Sequence, residues 1–192
     1  IKTLKSFSSK SGCKEGPTSP VTKPTLYNPS RGYSTKTTLR NLLDLLLKNV
    51  VHTTSLVIPG MQKNKWGRII NVTSVSVKEP LNYLVLSNSI RSAVVAWAKS
   101  LSVDLGPDGI TVNSILTGYF DTERIKELNK EKSKSLNISE TEVLEKMKTL
   151  VPASRLGRPE EYGYLVSFLS SDNAAYINGA SIPIDGGLLK SY

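Results

Sequence analysis

Two short runs decide how this chain folds: Gly67-Arg-Ile-Ile-Asn-Val-Thr-Ser74 and Gly109-Ile-Thr-Val-Asn-Ser-Ile-Leu116. Each is β-branched, uninterrupted by polar alternation and bounded by glycine, which is the pattern of a strand covered on both faces. Between them, residues 81–105 carry apolar side chains at helical spacing. Ala93, Val94, Ala96, Trp97, Leu101 and Leu105 form the expected stripe, and Gly106 the stop. A strand, a long helix and a second strand cannot form a hairpin, so the two strands are expected to be parallel with right-handed crossovers.

The same alternation extends in both directions. Upstream, Leu39, Leu42, Leu43, Leu46, Val50 and Val57 mark a long helix that should end near Pro59-Gly60, read as core or dimer surface. Downstream comes a charged helical region, residues 122–150, whose second half opens with the capping-box spacing Ser139-Glu-Thr-Glu142. Pro159 then starts a helix to Ser170, and Ala180-Ser-Ile-Pro-Ile-Asp185 forms a last strand before Gly186-Gly187. The expected fold is α/β, a Rossmann-like doubly wound parallel sheet. Ligands of such sheets bind beyond the carboxyl ends of the strands, which places Thr73-Ser74, residues 116–122 and Asp185-Gly-Gly187 along one edge.

Composition narrows the function classes. The 192 residues carry a net charge of +9, 39% hydrophobic and 21% charged residues, which excludes wholesale disorder. The basicity is uneven: residues 1–38 hold seven basic side chains and one acid, Glu15, while the remainder is near balance. Residues 1–24 are Ser/Thr/Lys-rich, broken by Pro17, Pro20 and Pro24, and read as an irregular leader. A basic leader on an ordinary domain argues against nucleic acid as the partner. No apolar run is expected to span a membrane, because Asp44 interrupts the Leu-rich stretch. One cysteine, Cys13, and one histidine, His52, leave no material for a disulfide or an evident metal site and fit a reducing, cytoplasmic setting. The sequons at Asn71 and Asn137 are then chance matches, and the charged run from Glu123 to Lys134 reads as a solvated helix face or a lid.

Five motifs on the proposed edge carry a family resemblance: Gly67-Arg-Ile-Ile-Asn-Val-Thr-Ser74, Gly109-Ile-Thr-Val-Asn113, Gly118-Tyr-Phe-Asp-Thr122, Arg155-Leu-Gly-Arg-Pro-Glu-Glu161 and Ile182-Pro-Ile-Asp-Gly-Gly187. In order and spacing they resemble the short-chain dehydrogenase/reductase family, and within it the 3-oxoacyl-(acyl carrier protein) reductase-like branch. The resemblance covers about residues 38–192. It implies NAD(P)(H) as cofactor, a small-molecule carbonyl or alcohol as substrate, and a homodimer or homotetramer built on the two long helices. The expected activity is NAD(P)-dependent interconversion of a carbonyl and a secondary alcohol. The alternative is a non-catalytic relative that binds nucleotide or a partner subunit.

The resemblance also assigns roles. Ser74 matches the family's serine, which bonds the substrate oxygen. Thr122 matches its contact to the nicotinamide amide, with Gly118 and Phe120 in the same cofactor-binding loop. Where the family has Tyr-x-x-x-Lys, this chain reads Ser87-Asn-Ser-Ile-Arg91; the helical asparagine is matched by Leu46, and the Pro-Gly after the next strand by Thr117-Gly118. Ser87 and Arg91 keep the i,i+4 spacing and the positive charge. Serine is a far weaker acid than a phenol, and arginine, unlike lysine, stays protonated, so it holds ribose hydroxyls rather than relaying a proton. Tyr83, one turn before Ser87, is either a substitute phenol or a packing residue at the helix start.

The family's Gly-rich pyrophosphate fingerprint is absent. Gly12-Cys-Lys-Glu-Gly16 has no strand before it and prolines after it, and the Asn-Ala-Gly element is degraded at Leu26-Tyr-Asn-Pro-Ser30. The expectation is therefore that residues 25–192 form the C-terminal two-thirds of the domain with its N-terminal cofactor-binding strands missing or incomplete. The chain would then be a partial copy or a truncated pseudoenzyme.

Overall fold

The computed structural model describes residues 36–81 and 84–191. Three parallel strands, β1 (Gly67–Val72), β2 (Ile110–Thr117) and β3 (Ser181–Ile184), pair in the order β1-β2-β3. Gly67 lies opposite Ile110 and Val72 opposite Ile115; Ser114 lies opposite Ser181 and Thr117 opposite Ile184. Every residue of β2 except Thr117 at its end is buried, so its unbroken apolar reading reflects cover on both faces. Ile115 has no exposed surface. Ile115→Ala should cost about 2–5 kcal/mol of stability through lost burial and a residual cavity, read as a lower urea midpoint.

The helices are α1 (Lys36–Leu43), α2 (Asn49–Asn64), α3 (Val85–Leu105), α4 (Glu123–Leu136), α5 (Glu140–Leu150) and α6 (Pro159–Ser170). A π-helical turn, Asp44–Lys48, joins α1 to α2 without a break in helical backbone. On one face of the sheet Ile69, Ile110 and Val112 pack with Ala98 and Leu105 of α3 and with Ile58 and Met61 of α2. On the other, Ile70, Ile115, Ile182 and Ile184 pack with Tyr162, Leu165, Val166 and Leu169 of α6. That arrangement corrects one expectation. The β1–β2 crossover runs over one face and the β2–β3 crossover over the other, in the same direction across the sheet, so the two cannot both be right-handed. The second crossover spans three helices, and its α6 reaches back to Ile70 of β1. The second crossover is thus one of the uncommon exceptions to the right-handed preference.

Two element boundaries also differ from the sequence expectation. Helix α2 passes through Pro59 and ends at Lys65, whose left-handed backbone (φ 50°) donates its N–H to the Gln62 carbonyl. Proline removes one helical bond, but Ile58 and Met61 beside it are held in the core, and that packing carries the helix one turn further. Helix α3 starts at Val85, because Asn88 Nδ2 donates to the Leu81 carbonyl (2.9 Å) and keeps that residue outside. Its buried stripe is Ile90, Val94, Ala98, Ser102 and Leu105; Ala93 and Ala96, expected inside, are exposed. Stacking small residues at i, i+4 lets α3 approach the sheet closely, and this outweighs the apolarity of the other two alanines.

The long apolar helix also needs a correction. Residues 39–64 are long and apolar enough, by length and composition alone, to cross a membrane; Asp44 does not break the run, since it pairs with Lys48 one turn on. Leu39, Leu45, Leu56 and Val57 are exposed on it, and Thr54 is its buried residue, so this surface is not core. The charged segment divides at Asn137, in left-handed backbone (φ 53°), and Ser139 Oγ then caps α5 by accepting from Glu142 N (3.0 Å).

Candidate active site

The carboxyl ends of β1 and β2 supply the site. Past β1, Thr73 is tied down: its N–H and its hydroxyl both donate to the Ile115 carbonyl (2.9 Å each). Ser74 follows, half-buried, with extended backbone. Its Oγ accepts from Ser76 N (3.1 Å) at the start of a 3-10 turn, Val75–Val77, which leaves the hydroxyl hydrogen to donate outward. Two residues before it, the Val72 carbonyl accepts from Arg91 Nη1 at 3.5 Å, and Arg91 Nε donates to Ser87 Oγ at 3.3 Å. The structure therefore brings Ser87 and Arg91 of α3 beside the strand end that carries Ser74. Burial pulls the Arg91 pKa below its usual value, and Tyr162 acts the other way; a guanidinium remains protonated under such a shift. Tyr83 lies outside the described residues, as do residues 1–35 with the leader and the degraded motifs.

The β2 end supplies the second wall. Gly118 donates its N–H to the Ile184 carbonyl (3.1 Å) at the end of β3. A Cβ on Gly118 would sit 2.6 Å from the Asp185 Cα, so the two strand ends touch where only glycine fits. Phe120 is buried. Its ring meets Tyr162 edge-to-face (5.4 Å, 81°) and fills the space that a Cβ at Gly157 would need. That ring is spent on packing, and the loop offers a ligand its backbone. Thr122 begins α4 with extended backbone and no capping bond from its side chain, so its hydroxyl is uncommitted at a helix N-terminus.

Asp185 closes the edge. Its carboxylate accepts from Gly187 N (2.9 Å) and Leu189 N (2.8 Å), with Gly186 and Gly187 at positive φ, which is the tight turn that the bare sequence suggests. Glu79 then binds the chain end, accepting from Lys190 N (2.7 Å) and Ser191 N (2.8 Å); those two backbone bonds hold its pKa down.

A cavity of about 100 Å³ lies behind Phe120, among Arg155, Gly157, Glu161, Asp185 and Gly186. Neither Ser74 nor Arg91 lines it. Arg155 closes it with two hydrogen bonds to the Glu161 carboxylate (2.7 and 2.8 Å), and it is too small for a dinucleotide. Its content is structural. Arg155 first, then the Arg158 N–H, hold Glu161 at a pKa of about 2 against an ordinary 4.5. A depressed carboxylate stabilises the fold above the ordinary pKa and loses that effect as pH falls through the folded one. Between about pH 4.5 and 2, Glu161→Gln should therefore remove part of the wild-type loss of stability, and paired acid-unfolding curves measure it.

The sequence reading did not anticipate Tyr162. It stands in the first turn of α6, and its OH accepts from Thr117 Oγ1 at 3.3 Å. The signal was available: with Pro159 opening the helix, residues 162, 165, 166 and 169 share the face turned to the sheet.

With this geometry in place, the comparisons are specific. The profile of a family described as enoyl-(acyl carrier protein) reductase matches residues 28–189. The chain belongs to the short-chain dehydrogenase/reductase family. Among curated members, it is 34% identical to an NADPH-dependent reductase of Bacillus subtilis, over 68% of this chain and 51% of that one. It is 32% identical to a 3-oxoacyl-(acyl carrier protein) reductase of Pseudomonas aeruginosa, over 76% and 54%. The solved L-sorbose reductase of Gluconobacter frateurii, complexed with NADPH and L-sorbose, superposes with a TM-score of 0.78 at 26% identity, covering 84% of this chain and 62% of that one. The chain thus spans about half the length of the curated short-chain reductases it matches. The Rossmann-like parallel sheet expected from the sequence is the fold these relatives share.

Proposed function

We propose that the chain carries the substrate and nicotinamide side of an NAD(P)-dependent oxidoreductase that interconverts a carbonyl and a secondary alcohol. One observation carries the reading: Arg91 bonds both Ser87 and the Val72 carbonyl, which gathers a cation and two hydroxyl side chains at one strand end. The residues suit a nicotinamide and its ribose. Arg91 has further N–H groups for ribose hydroxyls, Thr122 has a free hydroxyl for the carboxamide, and the backbone around Gly118 and Phe120 would flank the ring. When bound, the reduced cofactor supplies a hydride. Ser74 donates its free hydrogen to the substrate oxygen and fixes the carbonyl, and Arg91 stabilises negative charge as it develops there. Among the described residues no glycine-rich strand-to-helix turn cradles a pyrophosphate, so the contacts named here end at the ribose.

The exposed apolar surface of α1–α2 with Val103 of α3 supports a homodimer or homotetramer. The function is tested by mixing the full chain with NADPH and a panel of 3-oxoacyl thioesters and ketoses and following reduced-nicotinamide absorbance. Ketone-dependent oxidation supports the reading. Binding of NADPH without turnover would instead favour the non-catalytic relative, motivated by Ser87 and Arg91 standing where a phenol and an ammonium are usual.

A further inference from the structure

We propose that Tyr162 is the proton-donating phenol of this site, supplying the aromatic hydroxyl that position 87 lacks; the inference rests on the function proposed above. Two contacts place the group. Its OH lies 3.3 Å from Thr117 Oγ1, at the end of the strand adjacent to the one bearing Ser74; in the register Ser74 continues β1 next to Thr117. Its ring is fixed edge-to-face by Phe120. The positive charge of Arg91, on the helix across the sheet, favours ionisation of this phenol. The phenol, the Arg91 cation and the hydroxyls of Ser74, Ser87 and Thr117 thereby stand at one sheet edge, drawn from α3, α6, β2 and the loop after β1, with the phenol and the cation on different helices.

The hydrogen-bond direction suits donation. Thr117 donates to the phenolic oxygen, so the phenolic hydrogen is left for a substrate oxygen. Burial is the main influence on its acidity and raises the pKa; the Thr117 bond and the Arg91 charge oppose that rise. Both opposing influences grow in importance as the oxygen becomes anionic, which is what an acid catalyst needs. In the reductive direction the hydride from the reduced nicotinamide adds to the carbonyl carbon. The C=O π pair moves to oxygen and takes the Tyr162 proton. The cofactor is oxidised, the carbonyl is reduced to an alcohol, and the phenolate is reprotonated from water through the Thr117 hydroxyl.

The test uses the full chain and two readouts. Tyr162→Phe keeps the ring on Phe120 and removes only the hydroxyl. It is expected to lower kcat about 100-fold and to flatten the alkaline limb of the rate profile, with KM and NADPH affinity within twofold. Tyr83→Phe serves as the comparison phenol, and a 100-fold loss there with none at Tyr162 overturns the proposal. The second readout needs no turnover. The difference between the tyrosinate absorbance titrations of wild type and Tyr162→Phe isolates one phenol, and its midpoint should rise in Arg91→Gln and in Thr117→Val. A midpoint unmoved by either substitution, or undiminished kcat in Tyr162→Phe, overturns the assignment while leaving the oxidoreductase reading intact. Failure of wild type to oxidise NADPH with any ketone overturns both.

Discussion

Gly118→Ala is expected to destabilise the fold strongly through a clash at the ends of β2 and β3. The added carbon would meet the Asp185 Cα and Cβ at 2.6 Å and the Ile184 carbonyl oxygen at 3.2 Å. Those are mainly backbone atoms of a paired strand, and no rotamer change moves them aside. Relief requires separating the ends of β2 and β3, which breaks the Gly118 N–H bond to Ile184 and the turn built on Asp185. Overpacking of this kind costs on the order of 3 kcal/mol, and the urea midpoint should fall accordingly. Gly60→Ala is the matched control: nothing lies within 4 Å of its added carbon, and within α2 it should stabilise by about 0.5–1 kcal/mol. Equal effects at the two positions would mean that the strand ends are not in contact.

The second large effect is a gain. Ser87→Tyr combined with Arg91→Lys installs a phenol and an ammonium one helical turn apart, beside Ser74. The ammonium lowers the phenol's pKa, whereas burial raises that of Tyr162, so the installed group is the better acid near neutral pH. The double variant should raise kcat at least about tenfold. In that background Tyr162→Phe should no longer matter, because the proton has another source. Non-additivity of this sort is what a shared role produces. A double variant slower than wild type would show that Arg91 does something an ammonium cannot, such as holding the Val72 carbonyl and Ser87 together.

The sequence made the sheet and its edge legible for a physical reason. Runs such as those ending at Val72 and Leu116 are buried on both faces, so their composition is dictated locally, and glycines 67 and 109 mark where they begin. Caps were equally local: Ser139 and Pro159 start α5 and α6 as their spacing suggests. What the sequence hid depended on distant partners. Pro59 does not end α2 because Met61 is pinned by the sheet, and Ala93 is exposed because α3 rests on its other small residues. The path of the β2–β3 connection over the opposite face is a tertiary outcome that no local pattern records. The site divides in the same way. Ser74 follows from its strand-end position, and Ser87 and Arg91 from the family resemblance, while Tyr162 reaches the end of β2 only because α6 packs across β1 and β2.

The proposed function requires this edge to hold a reduced nicotinamide through Arg91. The most direct measurement is a fluorescence titration of the full chain with NADPH, repeated on Arg91→Gln. The wild-type chain should bind NADPH saturably, and the affinity should weaken about 10- to 100-fold in the variant, the loss of charge-assisted hydrogen bonds worth about 1.5–3 kcal/mol. No saturable binding by wild type, or equal affinity in both, would contradict it.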